Sequence, residues 1–174
     1  LIAEELFASG CELLISVTSA GQIADVGAPP YFVVIDRALR DEGTSYHYVA
    51  PSEFAAADRQ LIDLAASALN RANLRSLVGP SWTTDAPFRE TVEAISAARN
   101  KGVLAVEMEA AALYSFARAR AAPVLCLAHV TNTVGQFEGD FEKGESEGTI
   151  DALKAIGSII AAVRSSQGGG ALTV

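Results

Sequence analysis

The junction at residues 102–114 constrains this chain most. Gly102-Val103-Leu104-Ala105-Val106 is an apolar run of strand type, and it stops at Glu107-Met108-Glu109, two carboxylates around the only methionine. An Ala-rich helical pattern, Ala110-Ala111-Ala112-Leu113-Tyr114, follows at once. A strand that hands over directly to a helix belongs to an α/β sheet, and in such sheets ligands sit where strands end and helices begin. Glu107 and Glu109 lie too close to the buried run to be ordinary surface charges. An acidic first helical turn, stabilised by the helix dipole, is the other reading of the same residues.

The rest of the chain alternates in the same way. Ile2, Ala3, Leu6 and Phe7 fall on one helical face, which Gly10 closes. Leu13 to Val17 is a nearly continuous apolar run that suits a central strand covered on both faces. Thr18-Ser19-Ala20-Gly21 then reads as a turn. Its small residues, N–H groups and hydroxyls can meet a ligand, or it is a plain strand-to-loop turn. Tyr31 to Ile35 is the next strand, and Asp36 to Tyr48 is a polar loop. His47 in that loop is a structural histidine or a substrate or subunit contact.

Asp58 caps an amphipathic helix to Arg71 with Leu61, Leu64, Ala65, Ala68 and Leu69 in its stripe. Leu74 to Val78 is a strand, and Gly79 to Asp85 a loop that carries the only tryptophan, Trp82. Pro87 opens a helix to Asn100 with Phe88, Val92 and Ile95 inward. The helix after Glu109 presents Leu113, Phe116 and Ala117 and ends before Pro123. Val124 to Ala128 is a buried strand that delivers His129-Val130-Thr131-Asn132-Thr133 to the same strand-end edge. Residues 135–148 form an acidic, Gly-rich loop. Thr149 caps a last helix with Leu153, Ile156, Ile160 and Val163 toward the core, and a tail begins at Ser165. Residues 1–164 thus read as one domain, an α/β sheet with helices on both faces.

Composition excludes several functions. Half of the 174 residues are hydrophobic, enough for a good core and too many for a disordered chain. The net charge of −8 leaves no basic stripe to displace counterions, so no nucleic-acid partner is expected. No apolar run reaches membrane-spanning length, and the opening residues do not read as a leader. Cys11 and Cys126 lie in or beside apolar runs and read as reduced core residues of a cytoplasmic protein. Two histidines and two cysteines at wide spacing make no metal site.

Three segments, in order, carry a family resemblance. Val106-Glu107-Met108-Glu109-Ala110-Ala111-Ala112 resembles the Val-Glu-Met-Glu segment of the nucleoside phosphorylase and nucleosidase superfamily, in its uridine phosphorylase and hexameric purine nucleoside phosphorylase branch. Val17-Thr18-Ser19-Ala20-Gly21 resembles that family's small-residue turn, and Arg40-Asp41-Glu42-Gly43-Thr44-Ser45-Tyr46-His47 its Glu-Gly-Thr-Ser segment. The resemblance implies a three-layer phosphorylase-like fold with a mixed central sheet flanked by helices. It also implies that the family's first strands, with a phosphate-binding Gly and Arg, are absent from this sequence.

The resemblance assigns roles residue by residue. Glu109 accepts hydrogen bonds from the ribose hydroxyls, Met108 packs on the sugar, and Glu107 is a weaker ribose candidate. Ser19, with Thr18 and Gly21 beside it, stands near phosphate and ribose. Trp82 is the candidate to stack on the base, or else a core anchor. Asn132 stands where many members carry a proton-donating aspartate. An amide can hydrogen-bond a base but transfers no proton at neutral pH, so Glu109 and Asn132 are the catalytic candidates and His129 an alternative proton source. Ser16 stands where the phosphorylases carry an arginine, and a hydroxyl cannot replace a bidentate guanidinium.

The first expectation is a nucleoside phosphorylase acting on a nucleoside, with phosphate as co-substrate and no cofactor. The second is a nucleosidase, which uses water. The third is a non-catalytic nucleoside-binding or storage protein. The resemblance also implies a homo-oligomer, a dimer or hexamer whose subunits share the site.

Overall fold

The computed structural model describes residues 2–133 and 148–168. Its elements are α1 (Ile2–Ala8), β1 (Leu14–Gln22), β2 (Tyr31–Asp41), β3 (Phe54–Ala56), α2 (Arg59–Arg71), β4 (Ser76–Thr84), α3 (Val92–Asn100), β5 (Ala105–Glu107), α4 (Ala110–Arg120), β6 (Val124–Thr133) and α5 (Thr149–Gly168). The strand order is β3-β2-β4-β5-β1-β6, and β6 also pairs with β2, so the mixed sheet curls until β2, β4, β5, β1 and β6 form a closed ring. β1 and β6 are parallel, as are β2 with β4 and β4 with β5. β5 meets β1, and β6 meets β2, antiparallel.

Helices cover both faces because β2 and β6 open on runs that are apolar at successive positions, Tyr31 to Ile35 and Val124 to Ala128. In β2, Tyr31, Val33 and Ile35 join Ala110, Tyr114 and Phe116 of α4 in one core, while Phe32 and Val34 face Ile62 and Leu69 of α2 and Ala155 and Ile159 of α5. In β6, Cys126 and Ala128 belong to the first set and Leu125 and Leu127 to the second. This two-sided burial is the signature of sheet strands packed between helices. Tyr114 ties the layers together: its hydroxyl donates to the Ile35 carbonyl at 2.6 Å and accepts from the Cys126 N–H at 3.0 Å.

Two strands run further than their sequences suggest, for one shared reason. The polar residues after Ile35 read as loop, yet β2 continues to Asp41; the stretch from Gly79 reads as loop, yet β4 continues to Thr84. The register between them jumps from Ile35↔Gly79 to Ala38↔Ser81. Asp36 and Arg37 therefore bulge opposite Pro80, which has no N–H to donate. β1 likewise passes straight through Thr18-Ser19-Ala20-Gly21, which is ladder and not a turn, with Gly21 between Val106 and Asn132. Leu14 to Val17 is only half-buried, so β1 is less covered than its apolar run implies.

Three helix readings shift. Thr91 accepts from the Ala94 N–H and starts α3 late, leaving a single 3-10 turn at Pro87–Arg89 and exposing Phe88 and Val92; Ile95 does pack inward. α5 buries Ala155 and Ile159 while Leu153 and Ile160 are exposed, because the stripe that meets α2 lies one residue round the helix. α5 also stays helical to Gly168, past Ser165. Asp58 caps α2 by accepting from the Leu61 N–H at 3.0 Å. The acidic loop at 135–147 lies outside the described residues.

Candidate active site

β5 ends at Glu107, and the chain turns at Met108 and Glu109 into α4. The two glutamates have opposite surroundings. Glu107 is 4% exposed. One carboxylate oxygen accepts from the Ser81 and Thr83 hydroxyls of β4, the other from the Glu109 and Ala110 N–H groups at 2.8 and 2.7 Å. Burial pushes its carboxyl above the ordinary range, and the four donors pull it back. Glu107 thus fastens the entrance of α4 to β4, with its oxygens turned into the protein. Glu109, the helix N-cap residue, is exposed, as is Met108.

Glu109 and Met108 line a cavity of about 500 Å³ together with Ser16 of β1, Glu42 and Thr44 after β2, Asp85 after β4, and an apolar wall from α1 and α4 that includes Ile2, Leu6 and Leu113. Three carboxylates, from Glu42, Asp85 and Glu109, therefore meet in one hollow. None of the described residues lining it is an arginine, lysine or histidine.

The loop that brings in Glu42 is built around Arg40, which is buried. Its guanidinium donates to the Ser45 hydroxyl at 2.8 Å, to the Ala50 carbonyl and Ser52 hydroxyl at 2.8 Å each, and to the Val49 carbonyl at 3.3 Å. It also lies over the Tyr46 ring at 4.2 Å. Asp85 accepts from the Gly43 N–H at 3.2 Å, which ties the β4 loop to the same segment.

A second cavity of about 250 Å³ is lined by Thr18, Ser19, His129, Thr131, Gly148 and Thr149, among others, and shares no lining residue with the first. His129 stacks on Phe32 with ring centroids 4.4 Å apart, and burial pushes its imidazole below the ordinary value while Asp151 opposes this.

A family model described as the phosphorylase superfamily matches residues 1–163. The chain belongs to the phosphorylase superfamily. Its fold also matches the crystal structure of an AMP nucleosidase from Bacteroides thetaiotaomicron VPI-5482, with a TM-score of 0.78 at 19% identity over 95% of this chain and 69% of that one.

Within this phosphorylase-superfamily fold the sequence candidates divide. Glu109, Met108 and Ser16 share the acid-lined cavity, whereas Thr18 and Ser19 line the hydroxyl-lined one. Gly21 is buried in the sheet, and Asn132 stands across from it, lining neither cavity. Trp82 is a core residue. It packs with Ile23, Val103 and Val106, and its N–H donates to Asp41 at 3.0 Å, so it offers no face to a base. Glu42, Thr44 and Asp85 received no role from the sequence. The available signal was two acidic residues just past strand ends, Glu42 after β2 and Asp85 after β4, but with β2 and β4 read as ending early, their meeting point was hidden.

Proposed function

We propose that the chain is a phosphate-independent nucleosidase that cleaves the N-glycosidic bond of a purine or pyrimidine nucleoside with water. The charge of the acid-lined cavity carries this reading: Glu42, Asp85 and Glu109 line it and no cationic side chain of a described residue does; by the family resemblance, Ser16, also in its lining, takes the place of the phosphorylases' arginine. A phosphate entering there meets three like charges and no bidentate partner. A sugar that gains positive charge as its bond to the base breaks is stabilised by the same carboxylates. The fold likeness to an AMP nucleosidase agrees.

In this reading Glu109 accepts from the ribose 2′- and 3′-hydroxyls and Met108 packs on the sugar. The electron pair of the breaking bond leaves with the base, which takes up a proton. Water adds its oxygen to the anomeric carbon and gives its proton to a carboxylate of the cavity. Nucleoside and water thus become base and free ribose.

Base release from inosine, uridine and methylthioadenosine, with and without phosphate, tests this. Release without phosphate, giving free ribose, is expected. Release only with phosphate, giving ribose 1-phosphate, overturns it in favour of a phosphorylase.

A further inference from the structure

Among the described residues, Tyr31, Asp36, Glu42 and Ser115 each keep a buried side-chain oxygen without a partner, and of these only Glu42 lines the acid-lined cavity. Its side chain is more than nine-tenths buried, and it lines the acid-lined cavity. Oε2 accepts from the N–H groups of Thr44 and Ser45 at 2.7 and 2.9 Å. Oε1 is buried and has no hydrogen-bond partner among the described residues. An unpaired carboxylate oxygen out of water costs free energy, and a fold tolerates it where a ligand supplies the missing donor.

The cradle also prevents Oε1 from turning elsewhere. Two backbone donors hold Oε2, and the Arg40 guanidinium braces the segment that carries them through the Ser45 hydroxyl and the carbonyls of Val49 and Ala50. No arginine, lysine or histidine among the described lining residues offers Oε1 a donor. Asp85 is itself held by the Gly43 N–H. Thr44 contributes its backbone to Oε2.

We infer that Glu42 is a substrate-binding residue of this cavity, with Oε1 accepting a hydrogen bond from a donor on the bound nucleoside. This rests on the nucleosidase reading for the identity of the ligand. Since that reading gives the 2′- and 3′-hydroxyls to Glu109, the donor for Glu42 is the 5′-hydroxyl or an N–H of the base.

Glu42→Gln is the test. Its amide oxygen keeps accepting from Thr44 and Ser45, while its NH₂ puts a donor where Oε1 was an unpaired acceptor. Turnover of adenosine, inosine and uridine, and their binding by calorimetry, are compared with wild type at matched melting temperature. The expected result is a KM and Kd raised roughly 10- to 100-fold for at least one of the three. Unchanged KM and Kd in the folded variant would overturn the inference and leave the nucleosidase reading standing. Binding that Glu42→Gln weakens, without base release by wild type, would keep Glu42 as a ligand residue and remove the nucleosidase reading. Should Glu42→Gln not fold, wild type carries the test: 5′-deoxyadenosine or N6,N6-dimethyladenosine must bind at least about 10-fold more weakly than adenosine. Equal binding of both analogues refutes the role.

Discussion

The two cavities beside β1 differ in what their walls offer. One gathers Glu42, Asp85 and Glu109 against an apolar wall; the other gathers Thr18, Ser19, Thr131 and Thr149 around a buried histidine. The first concentrates negative charge and suits sugar hydroxyls and a developing cation. The second is neutral among its described lining residues, which include no carboxylate, arginine or lysine, and burial pushes its His129 imidazole below the ordinary value. Residues only two or three apart in β1, Ser16 against Thr18 and Ser19, thus serve different hollows. Nearness along a strand does not place residues in one site. The same lesson holds at the end of β5, where Glu107 is fully paired and Glu109, two residues on, is open.

The largest effect should come from Glu109→Ala. Base release should fall on the order of 100-fold with the melting temperature unchanged. Undiminished turnover in that variant would break the division, because it would move the chemistry out of the acid-lined cavity. Glu107→Ala should do the reverse: denaturant unfolding should show a loss of about 2–4 kcal/mol, since four donors lose their buried acceptor. A variant as stable as wild type would mean that Glu107 does not fasten α4 to β4.

In the neutral cavity, pH is the probe. The folded-state pKa of His129 is depressed, so the unfolded chain takes up its proton first. Its contribution to stability is therefore present above the unfolded value, about 6.5, and is lost as pH falls from there toward the folded value. Stability curves from pH 8 to 5 should show a shallower acid-side fall in His129→Gln than in wild type; parallel curves would remove His129 as a source of the slope. The smallest effect is expected for Thr18→Ala and Ser19→Ala, each less than about threefold in kcat/KM for hydrolysis. A much larger loss would join the two cavities into one functional site.

Much of the fold was legible. Asp58 announced α2, Pro123 the end of α4, and the unbroken apolar runs in β2 and β6 a sheet covered on both faces. The Glu-Met-Glu junction located a strand-to-helix corner that does line a cavity. What misled was polarity inside strands. Asp36, Arg37, Ser81 and Thr83 look like loop residues, but a bulge opposite Pro80 absorbs the first two, and Glu107 satisfies the hydroxyls of the others. Trp82, set among hydroxyls, looked available to a ligand and is instead core.

Local signals announced the helices and the apolar starts of the strands, because periodicity, caps and apolar runs act over a few neighbours. The sequence by itself also determined family membership, which rests on short motifs kept in order. Only the tertiary structure decided which carboxylates share a hollow. Glu42, Asp85 and Glu109 come from three strand ends, tens of residues apart, and their meeting depends on the parallel β2–β4 and β4–β5 pairings and on the Arg40-braced loop. Long-range register of that kind has no local signal, so no single segment could reveal the charge of the cavity that they form together.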